Sequence, residues 1–238
     1  MEFSYDGFRA ILREVKTHGY QFHRLDRPAA GKVFYLRHDV DISPRCALRL
    51  GQAAADEGAH SSLFFQLNAE TYNPFSVETL DIIGKLRSLG HCVGLHVDEN
   101  LVGQDEAKIA HTLRWFSECC TGVDPAVSFH RPSPAVLGRT FRGFASGYAA
   151  AVWAEDRYLS DSRRSWDFRD KLSAWLREGR APIQLLLHPE WWHPHPDARA
   201  IWDDLCRRRL NELARYAALH FTKVFSSVAV PSSTEDGM

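Results

Sequence analysis

The chain lacks most of the features that assign a protein quickly. No run of 18 apolar residues occurs, so no stretch reads as a membrane-spanning helix. Neither charge sign is in excess: 29 Lys and Arg face 30 Asp and Glu, for a net charge of −1. A nucleic-acid or acidic-membrane partner would call for a basic surplus, so neither is expected. Cysteine is scarce and unpatterned. Cys46, Cys92, Cys119, Cys120 and Cys206 form no CxxC pair and make an odd number, which reads as reduced thiols in a cytoplasmic protein. The opening MEFSYDGFRAILREVKTHGY has acidic residues and no apolar h-region, so no signal peptide is expected there. The phosphate loop GxxxxGK[ST], the dinucleotide GxGxxG, the nucleophile elbow GxSxG and the zincin HExxH are all missing. Kinase, dinucleotide enzyme, α/β-hydrolase and zincin are therefore poor fits.

What is present is an ordinary globular composition with one outlier. Hydrophobic residues make up 45% and charged residues 25%, which excludes disorder and fibrous repeats. At 238 residues the chain has room for one large domain with a full core. Histidine stands out at twelve, which directs attention to metal or acid–base chemistry.

Short apolar runs alternate with amphipathic ones. Val33–Leu36, Ser61–Leu67, His91–Val97, Ala126–His130, Tyr148–Trp153 and Ile183–Leu187 read as strands. Helices are expected over the Phe8–Val15 stripe, from Ser43-Pro44 to Gly58, and over Val77–Leu89, Glu106–Cys119, Phe168–Glu178 and Asp197–His220. Strands apolar on both faces and separated by helices predict an α/β fold with a helix-covered parallel sheet. An open doubly wound sheet and a (β/α) barrel both remain open on this pattern. A single domain over residues 1–230 is expected, with 231–238 (PSSTEDGM) as a disordered tail.

In parallel α/β folds the working residues gather at the C-terminal ends of strands. Here those ends read Arg37-His38-Asp39-Val40-Asp41, His96-Val97-Asp98-Glu99, His130-Arg131-Pro132 and His188-Pro189-Glu190. Asp39 and Asp41 are separated by one residue, so in an extended chain they point to one side. A metal would let one carboxylate serve as ligand while the other remains a base. One Asp with His96 and His130 would form a facial N₂O set suited to zinc or a similar divalent ion that activates water. His188, ending a buried strand, occupies the place of a general acid, and Asp161 is the group to orient it. His91, at the start of its strand, reads as structural. Trp191, Trp192 and Trp166 are candidates to stack on a sugar face.

The motifs LRHDVD, SSLFF, LRSLGHCVGLH, HRPSP, SDS…W and LLLHP follow one another between about residues 33 and 190. In that order they resemble the polysaccharide deacetylase (NodB-homology, carbohydrate esterase 4-like) family, as an outlying RHDVD-type branch. The resemblance implies a single-domain distorted (β/α) barrel of about seven parallel strands. It also implies one divalent metal, zinc first with cobalt, nickel or manganese as alternatives, and hydrolysis of an N- or O-acyl group from a sugar or small glycoside.

By the same resemblance Asp39 is the base, Asp41 and His96 are metal ligands, Arg131 braces the base, Asp161 tunes a histidine and His188 is the acid. The sequence departs from the family at three places. Val40 separates two aspartates that are usually adjacent, so base and ligand can be exchanged. Asn100 stands where the second metal histidine is usual, leaving His130 or Glu99 to replace it. The residues after His130-Arg131-Pro132 lack the expected glycine. A small acylated sugar is the expected partner, with oligomeric state open. A non-catalytic carbohydrate-binding relative is the alternative, and a glycosidase on the same scaffold a third reading.

Overall fold

The computed structural model describes residues 2–27 and 29–225. The expected tail, 231–238, lies outside them. The chain divides into two compact units, Met1–Pro194 and His195–Met238.

The first unit holds one parallel sheet of eight strands. In chain order these are β1 (Gln21–His23), β2 (Val33–Val40), β3 (Ser62–Phe65), β4 (Cys92–Asp98), β5 (Ala126–His130), β6 (Ala145–Ser146), β7 (Tyr158–Ser160) and β8 (Ile183–Leu187). Seven of them run in the order β6-β5-β4-β3-β2-β8-β7, and β1 pairs with the first half of β2. The two end strands do not join, so the first unit is a distorted half-barrel. Its helices are α1 (Tyr5–Thr17), α2 (Pro44–Asp56), α3 (Val77–Ser88), α4 (Glu99–Val102), α5 (Glu106–Cys119) and α6 (Phe168–Glu178). The second unit is built on α7 (Ala198–His220), capped by Asp197 and laced by pairs such as Arg199–Asp203 at 2.8 Å. No described helix is long and apolar enough to cross a membrane.

Local chemistry explains the helix ends. Ser43, Ser76 and Asp105 accept from backbone amides at the starts of α2, α3 and α5, and Pro44 occupies the first turn of α2. Gly58 and Gly90 follow α2 and α3 at φ +65° and +87°, where a side chain would be strained. Two expectations fail. Tyr148–Trp153 is a series of turns rather than a strand, because Gly147 and the alanines support no ladder and Tyr148 packs beside Phe129 instead. The sheet is completed by β1 and β7, whose three residues each are too short to show periodicity.

The two-residue repeat of β2 sorts its side chains between two cores. Phe34 and Leu36 join α1, α6 and the odd-numbered residues of β8 in the outer layer. Val33 and Tyr35 join Phe64, Cys92 and Ala126 inside the half-barrel. Arg37, Asp39 and Asp41 continue the inward face by the same repeat, as do Gln66 after β3, His96 and Asp98 on β4, Ser128 and His130 on β5, and Gln184 on β8. The interior is apolar at its base and polar at the C-terminal rim.

Candidate functional site

The polar rim is built on a fully buried ion pair. Arg37 donates from Nε to Asp39 Oδ1 at 2.9 Å and from Nη2 to Oδ2 at 2.7 Å. Its guanidinium lies over the Tyr148 ring at 4.4 Å and donates to the Tyr148 hydroxyl at 3.1 Å. Burial alone would raise the Asp39 carboxyl, but Arg37 and His96 hold it below its usual range. Arg131 does not brace Asp39. It sits exposed after β5 at φ +52°, and Arg37 supplies the clamp from Asp39's own strand. Arg37 stands two residues before Asp39 on the same strand face, but that spacing alone does not mark it as the partner.

Asp41 and His96 meet at the centre. Asp41 Oδ1 lies 3.3 Å from His96 Nε2 and accepts from Gln66 Nε2 at 2.7 Å. Burial acting to raise the Asp41 carboxyl is outweighed by the hydrogen bond and charge of His96, with His188 and His130 adding, so Asp41 stays ionised. On its other side, Asp41 Oδ2 is 3.9 Å from His188 Nε2. His188 is tied through Nδ1 to Asp161 Oδ1 at 2.6 Å, and its backbone N–H donates to both Asp161 oxygens. Burial would lower the His188 pKa, but the Asp161 hydrogen bond and charge raise it to about 9. Complete burial raises the Asp161 carboxyl in turn, against the hydrogen bonds from His188 and the Trp192 indole.

The residues themselves test the expected metal. Ser128 Oγ donates to Asp39 Oδ1 at 3.1 Å, and its single proton is thereby committed. His96 Nδ1, 2.6 Å from Ser128 Oγ, must then donate its N–H to that hydroxyl. That leaves Nε2 facing two carboxylates, Asp41 at 3.3 Å and Asp39 at 3.6 Å. Nε2 and these oxygens are the donor types that a divalent ion takes, and a second partner on Nδ1 is how a ligating histidine is usually oriented. Asp41 and His96 therefore fit a divalent metal.

The third ligand is not in place. Among the described residues no three His, Cys, Asp or Glu side chains converge on one ion. His130 stands beside the pair with its ring centroid 5.5 Å from that of His96, and burial together with His96 lowers its pKa, keeping the imidazole neutral. Glu99 is engaged elsewhere: its carboxylate accepts from Ser133 N at 2.7 Å, Ser133 Oγ at 2.8 Å and Gln104 at 2.7 Å.

The three tryptophans separate. Trp191 lies half-buried beside His188, ring centroids 6.4 Å apart, and is placed at the rim. Trp192 is wholly buried and spends its indole N–H on Asp161, so no ligand can stack on it. Trp166, half-buried, packs edge-on against Phe3 at 4.9 Å and tilted against Trp192 at 5.8 Å, on the flank of the core. His91 is buried away from the rim and satisfied by Ser61 and by the Gly51 carbonyl at 2.9 Å. Glu190, unweighted in the sequence, is buried beyond His188. Burial pushes its carboxyl up to about 8, so it is largely protonated at neutral pH.

No family model matches the chain, and no curated protein does. Among solved structures, a peptidoglycan deacetylase of Bdellovibrio bacteriovorus matches at 16% identity and TM-score 0.42 over 79% of this chain. The chain spans 56% of that protein's length. A family 4 acetyl xylan esterase from Clostridium thermocellum, solved with a cobalt ion, matches at 14% identity and TM-score 0.40, covering 74% of this chain and 84% of its own. A CE4-family pseudoenzyme from Bacillus anthracis matches at 12% identity and TM-score 0.38, with 78% and 63% covered.

Proposed function

We propose that the chain is a metal-dependent hydrolase that removes an acetyl or other acyl group from the nitrogen or oxygen of a small acylated sugar or glycoside. One observation carries the reading. At the open rim, the His188 imidazolium, backed by Asp161 at 2.6 Å, faces Asp41 and, beyond it, the Asp39–His96 cluster. An acid and a group of ionised carboxylates thus flank one small space, as acyl hydrolysis requires. The substrate class rests on the order of the sequence motifs.

The ion would be held by Asp41 and His96, with His130 as the third ligand. When bound, such a metal supplies Lewis acidity toward the acyl oxygen and toward water. Asp39, aimed and kept ionised by Arg37, takes the proton of the attacking water. The acyl carbon gains the water oxygen and loses the amine or alcohol, whose departing atom takes its proton from His188. Tyr148 and Gln184 keep Arg37 in place and so keep Asp39 aimed. The five free thiols, Cys119 among them exposed, support a reducing cytoplasmic setting. The missing third donor favours one second reading, a non-catalytic carbohydrate binder.

Metal content by plasma mass spectrometry on tag-free protein, followed by acid release from acylated glucosamines, tests both readings. A stoichiometric divalent ion is expected in the wild type, in Asp39→Asn and in His188→Ala, but not in Asp41→Ala. Acid release is expected only from the wild type. Because His188 must be protonated, activity is full below its folded pKa and falls as pH rises through about 9. Wild-type metal in Asp41→Ala overturns the ligand assignment, and sugar binding without metal or turnover establishes the binder.

A further inference from the structure

Asp41 lies just past the end of its strand. The ladder between β2 and β3 closes at Val40 opposite Phe65, so Asp41 and Gln66 are the first residues that it no longer pairs. Side chains take over where the backbone bonds stop. The Tyr72 hydroxyl accepts from Gln66 N at 2.8 Å and donates to the Val40 carbonyl at 2.9 Å, which ties the two strand ends together. Thr71 Oγ1 donates to the Asp41 carbonyl at 2.9 Å. The Gln66 side chain, buried at 7% exposure, then donates from Nε2 to Asp41 Oδ1 at 2.7 Å. An ionised carboxylate only accepts, so it is the amide nitrogen that faces Asp41.

The two aspartates of the site are held by partners of different charge. Both oxygens of Asp39 meet the Arg37 guanidinium, a full cation in the same buried space. Asp41 is fixed by a neutral amide, which orients a carboxylate without cancelling its charge. Its nearby basic groups are imidazoles, His96 at 3.3 Å and His188 at 3.9 Å. A carboxylate offers about four lone pairs, and Gln66 takes one of them.

We propose that Gln66 is a positioning residue of the candidate centre: it holds Asp41 toward His96 with a neutral donor, so that Asp41 rather than Asp39 keeps the charge that takes up a divalent ion. The proposal rests on the metal-dependent reading of the site. Tyr72 serves the same end at one remove, because its hydroxyl keeps Gln66 level with Asp41 where the ladder no longer does. A cationic side chain at position 66 would hold Asp41 equally well and spend its charge.

Titration of the metal-free protein with cobalt(II), against a competing chelator, tests this. Gln66→Met, which keeps the length and loses the donor, should bind cobalt about 10–100-fold more weakly, as loss of a group that orients a ligand does. Gln66→Lys restores a donor but brings a cation, and should bind more weakly still. A purely structural role predicts the reverse order, since lysine would hold Asp41 and methionine would not. Wild-type affinity in Gln66→Met, or in Gln66→Lys, overturns the proposal. Should Gln66→Lys not fold by circular dichroism, Gln66→Met decides alone. If the wild type binds no cobalt, the hydrolase reading fails and nuclear magnetic resonance of the metal-free protein decides whether Gln66 positions Asp41. A Gln66 side-chain amide resonance that is displaced in the wild type and returns to its ordinary place in Asp41→Ala supports the role, and an undisplaced one overturns it.

Discussion

Arg37 and Arg131 show how differently two arginines near one rim can weigh. Arg37 is wholly buried and meets both oxygens of a carboxylate that is itself 3% exposed. Removing one partner of such a pair strands the other as an uncompensated buried charge. Arg37→Met should therefore cost about 3–5 kcal/mol in urea denaturation. Arg131→Ala, at an exposed turn, should stay within about 0.5 kcal/mol in the same assay. A loss for Arg131 comparable to that for Arg37 would show that the clamp is misassigned. The site's aspartates and histidines were legible as residues because period two puts Asp39 with Asp41, and because strand ends deliver His96, His130 and His188. Arg37 was not, since an arginine inside a strand reads as an edge or surface residue until its partner is seen.

At the scale of the element, β4 depends on a residue with no side chain. A Cβ on Gly94 would lie 2.3 Å from the Ala126 carbonyl of β5 and 2.8 Å from the Phe64 ring of β3. Both neighbours are fixed in the ladder, so neither can retreat cheaply. Gly94→Ala should destabilise the protein by about 1–3 kcal/mol, as overpacking of a filled interior does, and thermal melting checks it. Gly84→Ala on α3, where nothing lies within 4 Å, is the control and should be neutral or slightly stabilising. Helix positions were easy to read, because caps and a wide apolar stripe are local signals. The three-residue strands β1 and β7 and the turns at Tyr148–Trp153 were not, because only pairing distinguishes a short strand from a turn.

At the scale of the molecule, β8 binds the fold together late in the chain. It lies between β2 and β7, with Leu185 opposite both Leu36 and Leu159, and its five residues are all buried. A fragment ending at Arg180 leaves β2 and β7 without their shared neighbour and should show no cooperative melting by circular dichroism. A sharp transition in that fragment would mean that the half-barrel closes without β8.

The sequence by itself determined the α/β class, the two-faced strands, most helix boundaries and the gathering of acidic and histidine residues at one end of the sheet, because caps, periodicity and strand ends act over a few residues. Only the tertiary structure decided that the sheet stops as a half-barrel, that Arg37 rather than Arg131 holds Asp39, that Trp192 belongs to the core with Trp166 packed against it, and that Glu99 is committed to Ser133. Each of those outcomes depends on which distant strand or loop lies within hydrogen-bonding or packing distance, and such contacts leave no periodic trace in a single chain.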